Sequence, residues 1–203
     1  MRKHTVIALM LACVLPLAVA AQTAKGKDKK VARDYANTIA TLQTDLGDIQ
    51  IKFFYDKAPK HVENFVDLSA SGFYDGTFFH RVIPGFMIQG GDPNTKKPET
   101  PQTQYGTGGN GSNRLKAEFN DTPHKRGIVS MARSSDPNSA SSQFFIVVKD
   151  SNFLDGQYTA FGEVISGMEV ADKIANAPRG ANDRPNQPVH IKKVQLSQAK
   201  STS

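Results

Sequence analysis

Residues 78–92 read Phe-Phe-His-Arg-Val-Ile-Pro-Gly-Phe-Met-Ile-Gln-Gly-Gly-Asp, and they constrain this chain more than any other stretch. Two short apolar runs flank Pro84-Gly85, the signal of a strand, a turn and a returning strand. Strand periodicity sets Phe86, Ile88 and Gly90 on one side and Met87 and Gln89 on the other. In the first run it sets Phe79 and Arg81 on one side and His80 opposite. A cation, an amide, a thioether and several rings lie close together here, a mixture that suits an apolar pocket with a few placed polar groups. The same spacing fits an ordinary core hairpin whose edge arginine sits in a surface salt bridge.

The rest of the chain repeats the strand signal. Residues 38–44 and 49–54 alternate around the turn Asp45-Leu46-Gly47-Asp48. Residues 127–131, 143–148, 158–164 and 189–196 are further strand candidates. Two segments have helical spacing instead. One opens at Ala58-Pro59, buries Val62, Phe65, Val66 and Ser69, and ends at Gly72. The other carries Met168, Ala171, Asp172 and Ala175 on one side, with Val170 and Ile174 beside it. Many short strands with two helices predict an all-β domain. Residues 93–114 form a long polar stretch, and 133–140 a polar loop.

The first residues stand apart from this pattern. Arg2, Lys3 and His4 precede an apolar run that ends in the small-residue sites Ala18-Val19-Ala20 and Val19-Ala20-Ala21, which predicts a cleaved secretory signal over 1–21. The run is short for a membrane span and contains Pro16. Cys13 is the chain's one cysteine and lies inside the signal, so cleavage leaves no thiol for a disulfide or a metal. Loss of Arg2 and Lys3 lowers the formal charge from +6 to +4. Lys25, Lys27, Lys29, Lys30 and Arg33 place much of the remainder in a basic linker over 22–36. No aromatic residues interleave with these cations, which argues against nucleic acid as a partner. A domain over 37–197 and a tail over 198–203 complete the organisation.

Other chemistries find little support. Gly106 to Gly111 matches the dinucleotide pattern G-x-G-x-x-G, yet it neither follows an apolar strand nor opens a helix. No G-x-S-x-G nucleophile motif occurs. His61, His80, His124 and His190 are scattered without ligand spacing.

Taken together, residues 78–92, Gly106-Thr107-Gly108-Gly109, Ser130-Met131-Ala132, Ser142-Gln143-Phe144-Phe145, Phe153-Leu154-Asp155-Gly156 and Phe161-Gly162 resemble, in order, the segments of the cyclophilin family of peptidyl-prolyl cis-trans isomerases. The resemblance covers about residues 38–196. It implies a closed eight-stranded antiparallel barrel filled by side chains, capped by a helix at each end, with substrate on the outer surface. Arg81 is then the donor to the prolyl nitrogen and Gln89 the amide that holds the substrate backbone. Phe86, Met87, Phe145 and Leu154 form the proline pocket, and Ala132 and Gln143 line the groove. His80 matches a histidine at the site rim, a position that a buried structural histidine would fill equally well. Phe153 stands where many members carry tryptophan, and Tyr158 where many carry histidine. Arg133-Ser134-Ser135-Asp136 is longer and more polar than the common Asn-Ala-Gly version. The long loop over 93–114 becomes an ordered wall of the groove.

The chemistry implied needs no cofactor and no metal. The partners implied are proline-containing polypeptides, chiefly unfolded or partly folded exported proteins. The resemblance and the leader together predict a periplasmic isomerase, monomeric and without stable membrane insertion after cleavage. Phe153 predicts weak binding of cyclosporin, the ligand for which the family is named.

Overall fold

A computed structural model describes residues 33–199; the expected signal, most of the basic linker and the end of the tail lie outside them. Among the described residues no helix is long and apolar enough to cross a membrane. Eight strands and two α-helices occur in the order β1 (Thr38–Thr44), β2 (Gly47–Phe53), α1 (Pro59–Ala70), β3 (Arg81–Ile83), β4 (Met87–Gly90), β5 (Ile128–Met131), β6 (Phe144–Val147), β7 (Ala160–Ser166), α2 (Met168–Ala175) and β8 (Ile191–Gln198).

All eight strands join one antiparallel sheet in the order β3-β4-β6-β5-β7-β2-β1-β8. The protein is thus mostly β with two helices. The eight-stranded sheet forms an open half-barrel, whose edge strands β3 and β8 do not pair with each other as strands. β3 has only three residues. The segments leading into the two edges do meet: Gly76 N–H donates to Ile191 O at 2.8 Å, Ile191 N–H to Thr77 O at 2.7 Å and Phe79 N–H to Val189 O at 3.1 Å.

The main core lies where α1 meets the sheet. Pro59 takes the first helical turn, where its missing N–H costs nothing. Phe65, fully buried, packs edge-on against Phe144 at 5.2 Å between ring centroids and at a tilt against Phe161 at 5.5 Å. Tyr74 seals the end of this cluster, donating from its hydroxyl to Ser142 O at 3.0 Å. On α2 the buried stripe is Val170, Ala171, Ile174 and Ala175. Asp172, expected on that stripe, instead makes a two-pronged ion pair with Arg126 at 2.6 Å per bond. A carboxylate with a guanidinium in reach gains more from the bidentate pair than from burial.

Contacts with the domain begin before Asn37. Arg33 pairs with Asp67 of α1, and Tyr35 stacks on Tyr55 at 5.9 Å.

β6 separates two apolar clusters. It reads Phe-Phe-Ile-Val and all four residues are buried. Phe144 and Ile146 enter the main core, whereas Phe145 and Val147 join Met87 and Leu154 in a second cluster. A strand covered on both faces has no polar alternation, which explains its uninterrupted apolar run.

Candidate active site

The second cluster is the floor of a surface pocket. Antiparallel register puts Arg81 opposite Gln89, and Gln89 opposite Phe145. Directly opposed residues carry their β-carbons about 5 Å apart on one face. Three strands thus deliver a guanidinium, an amide and a ring in a single row. Around that row Arg81, Phe86, Met87, Gln89, Ala132, Arg133, Phe145, Leu154 and Tyr158 enclose a cavity of about 130 Å³. Met87, Phe145 and Leu154 are nearly buried and make the wall apolar. Tyr158 meets Phe145 edge-on at 5.6 Å.

The alternation read from the sequence fails at two places, for one reason. Phe79 and Arg81 do not share a side: Phe79 is in the main core and Arg81 is exposed at the pocket. Phe86 does not face with Ile88: it packs in the second cluster, whereas Ile88 is in the main core. β3 begins at Arg81 and β4 at Met87, so Phe79 and Phe86 lie outside the strands and outside their period.

Gln89 is held by a polar chain. Its amide donates to Gln143 Oε1 at 2.9 Å, and Gln143 donates in turn to the carbonyls of Gly106 and Gly108 at 2.9 and 2.8 Å. Gln143 therefore anchors the groove wall and fixes Gln89, with its own N–H groups already engaged. The wall is tied from behind by Asp92, whose buried carboxylate accepts from the N–H groups of Asn94, Gly106 and Gly108. A β-carbon at Gly108 would lie 2.1 Å from Asp92 Oδ1, so only glycine allows this approach. One buried carboxylate and Gln143 thus tie the long polar stretch to the domain at Asn94, Gly106 and Gly108.

Arg81 has both of the situations the spacing allowed. It lines the pocket, and its Nε lies 3.5 Å from Asp183 Oδ2. Asp183 also lies 3.4 Å from Arg179 Nε. The Arg81 side chain is 44% exposed, so this ion pair contributes little to stability, about 0–1 kcal/mol. Nothing in the sequence links Asp183 to Arg81, because the loop that carries it has no periodicity.

Two of the expected residues stand away from the pocket wall. Phe153 is 64% exposed and packs its ring on Phe86 at 5.4 Å, outside the cavity. His80 is 5% exposed, buried behind the wall rather than at its rim. Neither ring nitrogen of His80 has a hydrogen-bond partner among the described residues. Burial pushes its pKa down to about 4, a shift opposed by Asp92 and reinforced by Arg184 and Arg81.

Sequence reasoning also misses two supports of the site. Arg133 lines the pocket and lays its guanidinium over the Tyr158 ring at 4.6 Å. His124 stacks on Phe145 at 6.3 Å, its Nδ1 2.9 Å from Asp155 Oδ1 and its Nε2 3.1 Å from Ser130 Oγ. These are the contacts of a hydrolase triad, but Ser130 and His124 are 0% and 1% exposed. No substrate carbonyl reaches that serine, and the array serves to hold the Phe145 ring. Among the described residues no cluster of three or more His, Cys, Asp or Glu is placed to hold a metal ion.

Residues 39–196 match the family model described as cyclophilin type peptidyl-prolyl cis-trans isomerase/CLD. A peptidyl-prolyl cis-trans isomerase of Acinetobacter baylyi is 43% identical over 176 residues, covering 81% of this chain and 88% of that one. A probable isomerase of Brucella abortus is 42% identical over 192 residues, covering 93% and 94%.

The chain belongs to the cyclophilin-type peptidyl-prolyl cis-trans isomerases.

The fold agrees with that membership. A cyclophilin-type isomerase of Cryptosporidium parvum, crystallised in the presence of the dipeptide Ala-Pro, superposes with a TM-score of 0.71 at 35% identity, over 79% of this chain and 99% of that one. In this cyclophilin the buried histidine has a measurable consequence. His80 has a folded pKa below the unfolded value of about 6.5. The unfolded chain therefore takes up the proton first. The His80 contribution to stability is complete above pH 6.5 and is lost as pH falls toward about 4. Urea unfolding at pH 7 and pH 4.5 is expected to show a loss of about 2–3 kcal/mol from this one group. His80→Gln flattens that difference, whatever it costs at neutral pH. His61, also shifted down by burial, remains in both proteins and cancels from the comparison. Equal acid losses in the two proteins would contradict this account.

Proposed function

We propose that the protein accelerates X–Pro isomerisation during the folding of exported proteins, by hydrogen bonding to the twisted imide and without covalent chemistry. Rotation about a peptide bond faces a barrier of about 18–20 kcal/mol, because it breaks amide resonance. Before proline both isomers are populated and exchange is slow enough to limit folding. A catalyst needs only to bind the twisted bond better than either planar form. When the prolyl nitrogen leaves conjugation its lone pair becomes an acceptor, and a permanently charged guanidinium is a suitable donor.

The observation that carries this reading is the single row Arg81, Gln89 and Phe145 across three strands. The proline ring enters the apolar pocket over Phe145, Met87 and Leu154. Gln89, fixed through Gln143, holds the substrate backbone. With Nε turned to Asp183, Arg81 keeps its two terminal amino groups for the prolyl nitrogen. Ala132 and Gln143 border the groove, and Tyr158 and Phe153 flank the pocket. The backbone bonds between 76–79 and 189–191 support reading the half-barrel as closed along an irregular seam.

A proline-limited refolding reaction tests the activity. Substoichiometric mature protein is expected to abolish the slow phase, and an unchanged slow phase would refute it. The leader, the thiol-free mature chain and the resemblance support a periplasmic location. Export is then expected to release a chain beginning at Ala21 or Gln22, as read by N-terminal sequencing of the exported protein. A retained start, or lipid on Cys13, would overturn that placement.

A further inference from the structure

We infer that Asn110 is a site of spontaneous deamidation, and that Arg114 beside it both promotes the reaction and captures the carboxylate that forms. Asparagine is a chemically labile residue, and its neighbours decide where the lability is expressed. Asn110-Gly111 is the one asparagine–glycine step in the chain. It heads a turn in which Asn113 N–H donates to Asn110 O at 3.1 Å. Asn110 is half-buried, and the three residues after it are exposed. Gly111 has φ 57°, and a β-carbon there would meet nothing within 4 Å. Glycine takes this backbone without strain and puts no side chain in the way of its own nitrogen.

The two groups that must meet are both free. The Asn110 carboxamide and the Gly111 N–H make no hydrogen bond among the described residues, whereas the Asn110 N–H is anchored on Ser141 Oγ at 2.9 Å. Other asparagines are pinned. Asn120 donates from Nδ2 to the Glu118 and Ala160 carbonyls at 3.0 and 2.9 Å, Asn176 donates to Asp172 O at 2.8 Å, and Asn138 Oδ1 accepts from Ala117 N–H at 3.0 Å. In the reaction the Gly111 N–H gives its proton to water or hydroxide, and the nitrogen attacks Asn110 Cγ. A Cγ–N bond forms, the Cγ–Nδ2 bond breaks, and Nδ2 leaves as ammonia with a proton from solvent. One water then opens the cyclic imide, at Cγ to give aspartate or at the backbone carbonyl to give isoaspartate. The demanding species is the nitrogen anion. Asn113 N–H draws charge from the carbonyl conjugated with that nitrogen, and Arg114 Nη1 donates to Gly111 O at 3.1 Å, which keeps a guanidinium beside the turn. A hydrogen bond and a nearby cation both favour an anionic form. Arg114 has no carboxylate partner among the described residues. Its Nη1 also meets Asn113 O at 3.4 Å, and its Nε and Nη2 make no hydrogen bond there. They are left to hold the new carboxylate.

To test this, the full mature protein is aged in neutral and in mildly alkaline buffer and mapped by peptide mass spectrometry, with enzymatic methyl transfer to count isoaspartate. Conversion is expected at Asn110 ahead of every other asparagine and faster at the higher pH, each event adding one negative charge on native isoelectric focusing. Asn110→Gln is expected to abolish it, since glutamine would have to close a larger ring. In Arg114→Gln the rate is expected to fall about three- to tenfold at low salt, and by less at high salt. In urea the unaltered protein and Arg114→Gln are expected to convert at similar rates, because the turn that holds the cation is gone. Thermal unfolding tests the capture: Asn110→Asp, which carries the product's charge, is expected to raise the midpoint at low salt and to leave it unchanged in the Arg114→Gln background. No conversion at Asn110 in the folded protein, or conversion no faster than at the pinned asparagines, overturns the site. An equal rate in folded Arg114→Gln, or no gain from Asn110→Asp, overturns the role of Arg114. These readouts are independent of turnover, so they stand or fall apart from the isomerase reading.

Discussion

Arg81→Ala is expected to lower kcat/KM for a proline peptide by about a hundred-fold or more while the protein stays folded. Removing one preorganised donor to a developing acceptor costs about 2.7–4 kcal/mol. Each 1.36 kcal/mol is about a factor of ten in rate. The fold has little to lose, because the side chain is 44% exposed and its ion pair with Asp183 spans 3.5 Å. Asp183 keeps Arg179 after the change. The apolar pocket is untouched, so peptide affinity should change far less than turnover, the pattern of an interaction made only in the transition state. Arg81→Lys keeps the charge but loses the planar fork, and falls between the two. Turnover, peptide affinity and thermal unfolding measured on all three proteins decide the matter. A folded Arg81→Ala protein with near-normal turnover would remove the guanidinium from the mechanism.

What can be read from the chain divides along physical lines. The bounds of β1 are legible, whereas its buried face, Thr38, Ala40, Leu42 and Thr44, leaves the apolar Ile39 on the other side, against the hydrophobic pattern. The resemblance assigns Phe145 and Met87 to a pocket, yet only the two-sided burial of β6 separates pocket floor from core. Periodicity sets Phe79 and Phe86 on the wrong faces when it is carried past the ends of very short strands. The sequence allows His80 equally at the rim and in the interior, and only its packing against the 106–108 wall resolves it. Asp183 and Arg133 are out of reach for a different reason. Each lies on a loop whose path is set by tertiary hydrogen bonds, and no local pattern reports those. Asn182 and Asp183 even adopt positive φ, 59° and 56°, a conformation that non-glycine residues take only where the surroundings enforce it.

Phe153→Trp is expected to tighten cyclosporin binding by about tenfold and to leave catalysis nearly unchanged. In tryptophan-bearing cyclophilins the indole N–H can donate to a carbonyl of that ligand; phenylalanine keeps the apolar contact and lacks the donor. A ligand carbonyl left unpaired in a dry site costs about 1–3 kcal/mol, or roughly ten- to a hundred-fold in affinity. The structure selects the lower end of that range, because Phe153 is 64% exposed and water reaches its surroundings. The substitution acts outside the cavity: Phe153 rests on Phe86, whereas Leu154 of the same short turn enters the pocket. Arg81, Gln89 and Phe145 therefore keep their places, which separates drug affinity from turnover. Arg133 offers a competing cause of weak binding, since its guanidinium covers Tyr158 at the other side of the pocket. Titrating the unaltered protein, Phe153→Trp and Arg133→Ala with cyclosporin distinguishes the two. A gain in the tryptophan variant alone assigns weak binding to the missing donor. Tight binding by the unaltered protein, or a gain only on removing Arg133, shows that the indole is not what this pocket lacks.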